Sequence, residues 1–338
     1  MVLAACSAGT GVEQTIVTGG DCMFDRDGET LSGAAADAAL TRWRGIVSTL
    51  RESDAFLFNL ETTVGQGGTP RKEQFVFRSP PRVLDDLRLV PRRVACLANN
   101  HSMDYGIEGL SGTLRALSAA GISHAGAGAN RAEAFRPAAL ALGGVRIVVF
   151  SAGVDNEETA FAGNNRPGIA QIDSAVLQRG IAGARGVSTA VVVMLHWGIE
   201  YQTMYASEQR ALAHALVDAG ADLVVGTGPH VLQGIERRGG ALICYSLGNL
   251  IFDDLQNGET SAGVLLRMRI FSVAGAITRK SFAIAPLRTK SRWEGPRAST
   301  PEDGEGIVWS IASRSPDPSV IHRSAHSTEG GLSWFEVQ

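Results

Sequence analysis

Apolar positions along the chain fall into short unbroken runs bounded by turn residues, at Thr15 to Thr18, Ala55 to Leu60, Arg93 to Ala98, Arg146 to Ser151, Ala190 to Leu195, Asp222 to Val225 and Ala241 to Ser246. Runs of this length without alternation predict strands buried on both faces. Stretches with helical spacing separate them, at Ala34 to Leu50, Ile107 to Ala120 and Ser207 to Ala219, the last with Leu212 and Leu216 on one face. Alternating strand and helix predicts an α/β fold built on a mostly parallel sheet with crossover helices. After Asp253 the pattern changes to two longer alternating segments, Gly263 to Phe271 and Ala276 to Leu287, which predict an antiparallel hairpin on the sheet edge. From Arg292 to Asp317 the chain is rich in Pro, Ser, Gly and charge and reads as surface, and the last twenty residues offer little pattern.

Composition narrows this picture. At 338 residues, with 44% hydrophobic and 19% charged positions, the chain can bury a sizeable core, and one domain over residues 14–290 is the expected organisation. Residues 1–13 are expected to be a leader or truncated lipoprotein signal, and residues 291–338 a C-terminal surface segment. A formal net charge of -3 gives no electrostatic reason to expect nucleic acid as a partner. Of four cysteines, Cys22, Cys96 and Cys244 lie in or beside apolar runs, which predicts buried reduced thiols rather than disulfides. No apolar run is long enough to span a bilayer. Leu3, Ala4, Ala5 and Cys6 match the end of a bacterial lipoprotein signal, although the basic and most of the apolar region of such a signal are missing. Lipid anchoring through Cys6 at the cell envelope and a cytoplasmic protein without a leader both follow from this.

The strand ends carry the chemistry. Gly20-Asp21 closes the first run, Asn59-Leu60-Glu61 the second and Asn99-Asn100-His101 the third; His196-Trp197-Gly198, Gly226 to His230 and Ser246 to Asn249 follow later ones. Taken singly, Asp21 reads as a cap, Glu61 and Asn100 as turn residues and His196 as a core histidine. In an open α/β sheet, however, the C-terminal ends of the strands line one crevice, so these residues converge. Carboxylates, an amide oxygen and neutral imidazoles form a ligand set suited to Mn, Fe or Zn, with one or two ions held.

The ordered strings GGDCM, FNLETTV, FRSPP, LANNHSMDYG, HWGIEY, GPHV and YSLGNLIFD resemble the bacterial capsule synthesis protein CapA family, associated with poly-γ-glutamate, over about Thr15 to Asp253. The resemblance implies a calcineurin-like metallophosphoesterase α/β sandwich, with layered sheets flanked by helices. It makes Asp21, Glu61, Asn100, His196 and His230 metal ligands, Glu61 bridging, and His101 the group that acts on the substrate as general acid or charge stabiliser. Two positions depart from the pattern: Met23 and Gly228 stand where phosphoesterase relatives carry histidine. The implied partners are poly-γ-glutamate or another γ-glutamyl or peptide-like substrate, and membrane-bound capsule synthesis proteins.

From the residues themselves, Asp104 is placed to orient His101, and Arg78 carries a planar fork that suits a substrate carboxylate or phosphate. Tyr201 and Glu200 are expected to line the cleft, with Asn249 and Ser246 at the same crevice and Trp197 as packing. His124, His214, His322 and His326 stand outside the series and read as solvated or structural. Three functions are open at this stage: a metal-dependent hydrolase of γ-glutamyl, peptide-like or phosphoester bonds; a non-catalytic polymer-binding or assembly factor; and a soluble tailoring enzyme for a small amide or ester.

Overall fold

The unbroken apolar runs become strands because each is covered on both faces, and two sheets rather than one provide the cover. The structure, a computed structural model, describes residues 11–25, 42–253, 258–289, 291 and 294–338. Cys6 and most of the expected leader lie outside these residues, as do the first residues of the expected Ala34 to Leu50 helix and the side chain of His326. Val12 and Glu13, which the sequence assigned to the leader, already belong to the first strand.

The first sheet is ten-stranded. Its main path runs Ile321–Glu329, Leu332–Val337, Ala276–Thr289, Ala262–Val273, Val12–Cys22, Ala55–Leu60, Arg93–Cys96 and Ser123–Ala125. The four strands from Val12–Cys22 onward pair in parallel, and the remainder of the path is antiparallel. A second, six-stranded sheet runs Ile235–Arg238, Ala241–Cys244, Leu223–Thr227, Thr189–His196, Val145–Gly153 and Ala138–Leu142, parallel through its centre.

Alternation within each run sorts the layers. Ile147, Val149, Val192 and Met194 of the second sheet pack against Ile16, Leu57, Val94 and Cys96 of the first, forming the core between the sheets. Their neighbours Val148, Phe150, Val191 and Val193 point outward onto the helices Ser174–Ala184 and Ser207–Asp218 through Leu177, Ile181, Ala213 and Leu216. On the outer face of the first sheet, Phe56 and Phe58 meet Leu110 and Leu117 of the helix Gly106–Ala119. The result is the layered α/β sandwich, helices outside and two sheets within, that the resemblance implied. Cys22, Cys96 and Cys244 are buried and free. Among the described residues, no helix is long and apolar enough to cross a membrane.

The C-terminal region differs from expectation. Residues read as surface form the helix Pro301–Ser313, capped by the Thr300 side chain and started by Pro301, which buries Ile307, Val308 and Ile311 in the core between the sheets. The strand Leu332–Val337 then pairs along Ala276–Thr289, so the predicted hairpin lies inside the sheet and not at its edge. Gly304, Gly306 and the acidic first turn obscure the helical period, and a strand with Trp334 facing one side and Phe335 the other shows no simple alternation.

Candidate metal centre

Glycine spacing at the first strand end lets the two sheets approach. A side chain on Gly20 would fall 1.9 Å from the Gly248 carbonyl oxygen, and one on Gly153 would fall 1.8 Å from that of Ala98. Only glycine allows these contacts, and they bring the loop ends of both sheets to one place. Asp21 pairs in register with Asn59, while His196 lies between Gly153 and Thr227. Asp21, Glu61 and His196 thereby gather with ligand atoms within 4.8 Å of one another, all buried.

His230 completes the group, its Nδ1 3.4 Å from Asp21 Oδ2 and its Nε2 3.6 Å from Glu61 Oε1. It sits at φ 58°, a left-handed conformation unusual for histidine, held in a segment that begins with Gly228 at φ 105°. The Gly228 N–H donates to Asp21 Oδ2 at 3.1 Å. The departure at position 228 therefore has a structural content. A Cβ there would stand 3.0 Å from the Trp197 carbonyl oxygen and 3.2 Å from His196 Nε2, in a backbone conformation that favours glycine. Met23, the other departure, is fully buried in an apolar cluster with Phe77 and Phe252.

Electrostatics at the cluster follow from its burial and its close charges. Burial raises the Asp21 carboxyl, but the hydrogen bond and charge of His230, with His196 and the Gly228 N–H, hold it down to about 2. Burial and the adjacent Asp21 charge push Glu61 well above the usual carboxylate range. Burial lowers the His196 imidazole to about 4, whereas at His230 the bond to Asp21 outweighs burial and raises it. Two carboxylates this close resist joint ionisation, and either a proton on Glu61 or a divalent cation would relieve the conflict. Glu61 Oε1 is buried without a hydrogen-bond partner, as is Asn100 Oδ1. Orphaned acceptors beside imidazole nitrogens fit a metal ion.

His101 lies beside this group rather than in it. Its Nδ1 meets Asp104 Oδ2 at 2.8 Å, and the same oxygen accepts the Phe77 N–H at 2.6 Å. The Phe77 ring stacks on the imidazole with centroids 4.0 Å apart. Asp104 thus holds the His101 ring through Nδ1 and leaves Nε2 out of that contact.

Other residues singled out from sequence take different places. Arg78 lies 3.4 Å over the Tyr105 ring and donates from Nη2 to the Gly67 carbonyl, so part of its fork is held by its own loop, while its Nε is buried without a hydrogen-bond partner. Asn249 is turned toward its neighbours; its Oδ1 meets His230 Nδ1 at 3.0 Å and its Nδ2 donates to the His230 and Thr260 carbonyls, which makes it a support for His230. Tyr201 is exposed at the rim, its ring 6.1 Å from that of His230, and Glu200 is exposed beside it. Trp197 is packing, with its Nε1 bonded to the Tyr245 carbonyl. Ser246 Oγ accepts the Gly248 N–H within the turn. His214 bonds Glu236, and His124 is partly buried on a strand.

Asn59 went unassigned in the sequence although it belongs to one of the motifs. Its Nδ2 lies 2.8 Å from Asp21 Oδ1, 3.2 Å from Glu61 Oε2 and 3.2 Å from His196 Nδ1. Its separation of two from Glu61, on one strand face, was the available signal.

Fold and site together define a two-sheet α/β sandwich with a buried Asp/Glu/His group at the strand ends. The model of the bacterial capsule synthesis protein PGA_cap family matches residues 15–254, and the chain belongs to that family. It is 38% identical over 161 residues to a capsule biosynthesis protein CapA of Bacillus anthracis, and 37% identical over 173 residues to a PGA biosynthesis protein CapA of Bacillus subtilis. Those matches cover 46% and 51% of this chain but only 39% and 45% of the Bacillus proteins. A probable polyglutamine synthesis accessory protein of Mycobacterium tuberculosis is 34% identical over 264 residues, 73% of this chain and 69% of that one. Among solved structures, a 5'-nucleotidase precursor from Thermus thermophilus superposes with TM-score 0.46 and 18% identity, over 89% of this chain and 59% of that chain.

Proposed function

We propose that the chain is a metal-dependent hydrolase of poly-γ-glutamate capsule biosynthesis or export, acting on a γ-glutamyl, peptide-like or phosphoester bond at the strand-end crevice. The observation that carries this reading is Glu61 Oε1, a buried carboxylate oxygen without a partner and facing the His230 and His196 imidazoles. Glu61, His196, His230, Asp21 and Asn100 would hold Mn, Fe or Zn. Bound there, a divalent ion supplies Lewis-acid polarisation of the scissile group and a water acidic enough to ionise near neutral pH. His101 delivers a proton to the leaving group from Nε2, with Asp104 on Nδ1 fixing the ring and stabilising its charged form. Phe77 covers the other face of that ring and keeps water from it. The Bacillus relatives are capsule and PGA biosynthesis proteins, and action at the cell envelope with membrane-bound capsule synthesis proteins as partners is the setting proposed with this reading.

A second reading, a polymer-binding or assembly factor without catalysis, is favoured by Gly228, which removes one imidazole from the family pattern. Mn-loaded protein assayed against γ-glutamyl and phosphoester substrates separates the two. Hydrolysis that falls about 10²–10⁴-fold in His101→Ala at unchanged metal content supports the hydrolase. Binding of poly-γ-glutamate with no turnover by loaded protein supports the assembly factor and refutes the hydrolase.

A further inference from the structure

Large apolar side chains left in water gather on the loops that carry the site. Of the ten among the described residues, Ile199, Tyr201 and Met204 share one loop, which follows the strand Thr189–His196, and are 68%, 61% and 57% exposed. Val154 follows the strand Val145–Gly153, and its N–H donates to the His196 carbonyl at 3.1 Å. Phe75 lies two residues before Phe77, whose ring covers His101. Single exposed apolar residues scattered over a surface are ordinary, but five of ten on three loops at one crevice mark a surface that something covers.

The loop after His196 is held in place. Tyr201 sits at φ 63°, and its N–H donates to the Pro229 carbonyl at 2.8 Å. The buried Gln233 donates from Nε2 to the Gln202 and Met204 carbonyls at 2.8 and 3.4 Å, and Gln209 Oε1 accepts the Ala206 N–H at 2.8 Å. Tyr205 stacks on Tyr245 with centroids 3.7 Å apart, whereas the Tyr201 ring stays exposed, 6.1 Å from that of His230. A fixed backbone that presents apolar side chains to water loses little entropy when a ligand covers them.

Charge on the same loops indicates what that ligand is not. Residues 65–78, 154–161 and 198–206 carry three cations, Arg71, Lys72 and Arg78, against five carboxylates. Arg71 is occupied by Asp155, its Nη1 3.1 Å from Oδ2 with side chains 9% and 1% exposed, and part of the Arg78 fork by the Gly67 carbonyl. Glu200, beside Tyr201, is near enough for its charge to act on both Glu61 and His230. A polyanion approaching this lip meets a net negative charge, while an uncharged apolar group gains by covering the ring.

We infer that Tyr201, with Ile199 and Met204, forms an apolar seat at the lip of the crevice, and that the substrate carries an alkyl or aryl group next to its scissile bond. A bare row of carboxylates is not what this lip is shaped to hold. The inference rests on the hydrolase reading above and narrows its substrate class.

The test is isothermal titration of the Mn-loaded full-length chain with inorganic phosphate, hexyl phosphate and a γ-glutamyl pentapeptide. Hexyl phosphate is expected to bind about 10–100-fold more tightly than phosphate, as partial burial of its chain requires, and more tightly than the pentapeptide. In Tyr201→Asn, a residue that tolerates the left-handed backbone, the ratio of hexyl phosphate to phosphate affinity should fall to within about threefold. The double variant Ile199→Ser, Met204→Ser serves where Tyr201→Asn does not fold. Equal affinities for the two phosphates, tighter binding of the pentapeptide, or a ratio that survives in the folded variants would overturn the inference and leave the proposed function standing. A chain that takes up no Mn and binds none of the three would overturn both.

Discussion

Asp104 holds two buried donors on one oxygen, and its replacement by Asn measures what that arrangement is worth. The side chain is 2% exposed, with the Phe77 N–H at 2.6 Å and His101 Nδ1 at 2.8 Å. Hydrogen bonds to a charged group contribute about 1.5–3 kcal/mol each, against about 1 for neutral pairs. In Asp104→Asn an amide oxygen at the Oδ2 position keeps both the Phe77 N–H and the His101 Nδ1 contact at neutral strength, and the NH2 takes the place of Oδ1. The loss is the difference between charged and neutral bonds at both partners, about 1–4 kcal/mol. Asp104→Ala costs more, because the carboxylate that accepts the Phe77 N–H is removed altogether. Calorimetric unfolding of both variants, combined with His101→Ala in a double-mutant cycle, reads these terms; the Asp104–His101 coupling should be about 1–2 kcal/mol. A coupling near zero, or an Asn variant as stable as the wild type, would refute the reasoning.

Three further outcomes follow from the packing and charges. Trp334→Ala should destabilise by about 3–5 kcal/mol on a calorimetric scan, since the ring is 1% exposed under the Arg267 guanidinium; a loss below about 1 kcal/mol would contradict an integral C-terminal strand. Burial raises the Glu236 carboxyl, yet hydrogen bonds from Arg210, Tyr245 and His214 hold it down to about 2. A depressed folded-state value means stability that is present above the ordinary carboxylate range and lost as pH falls through it toward 2. The Tm gap between wild type and Glu236→Gln should therefore narrow between about pH 5 and about pH 2.5, and a constant gap would count against the network. Gly228→His should lower stability by about 1–3 kcal/mol through its positive φ, and weaken Mn binding by displacing His196, as an isothermal titration would show; tighter binding would contradict the geometry described.

Much of the site could be read because its residues sit at the ends of uninterrupted apolar runs, where strand direction alone predicts convergence. Asp21, Glu61, His196 and His230 meet for that reason. What sequence could not supply was orientation. Arg78 and Asn249 have the right chemistry for a substrate, but a carbonyl, a tyrosine ring and a histidine claim them first. Asn59 escaped notice because an amide two residues before a carboxylate looks like strand filler until its hydrogen-bond direction is known. The C-terminal region was misread for a different cause: its helix and strand derive their burial from surfaces that the preceding chain provides, and their own apolar period is broken by Gly304, Gly306 and interleaved charge.

In the function proposed, the orphaned Glu61 oxygen and its imidazoles are a metal centre. Elemental mass spectrometry of wild-type protein and His230→Ala, both purified without chelator, tests it most directly. Near-stoichiometric Mn, Fe or Zn in the wild type, falling sharply in a folded His230→Ala, is the predicted result; protein that holds no divalent metal even after reconstitution would contradict the account.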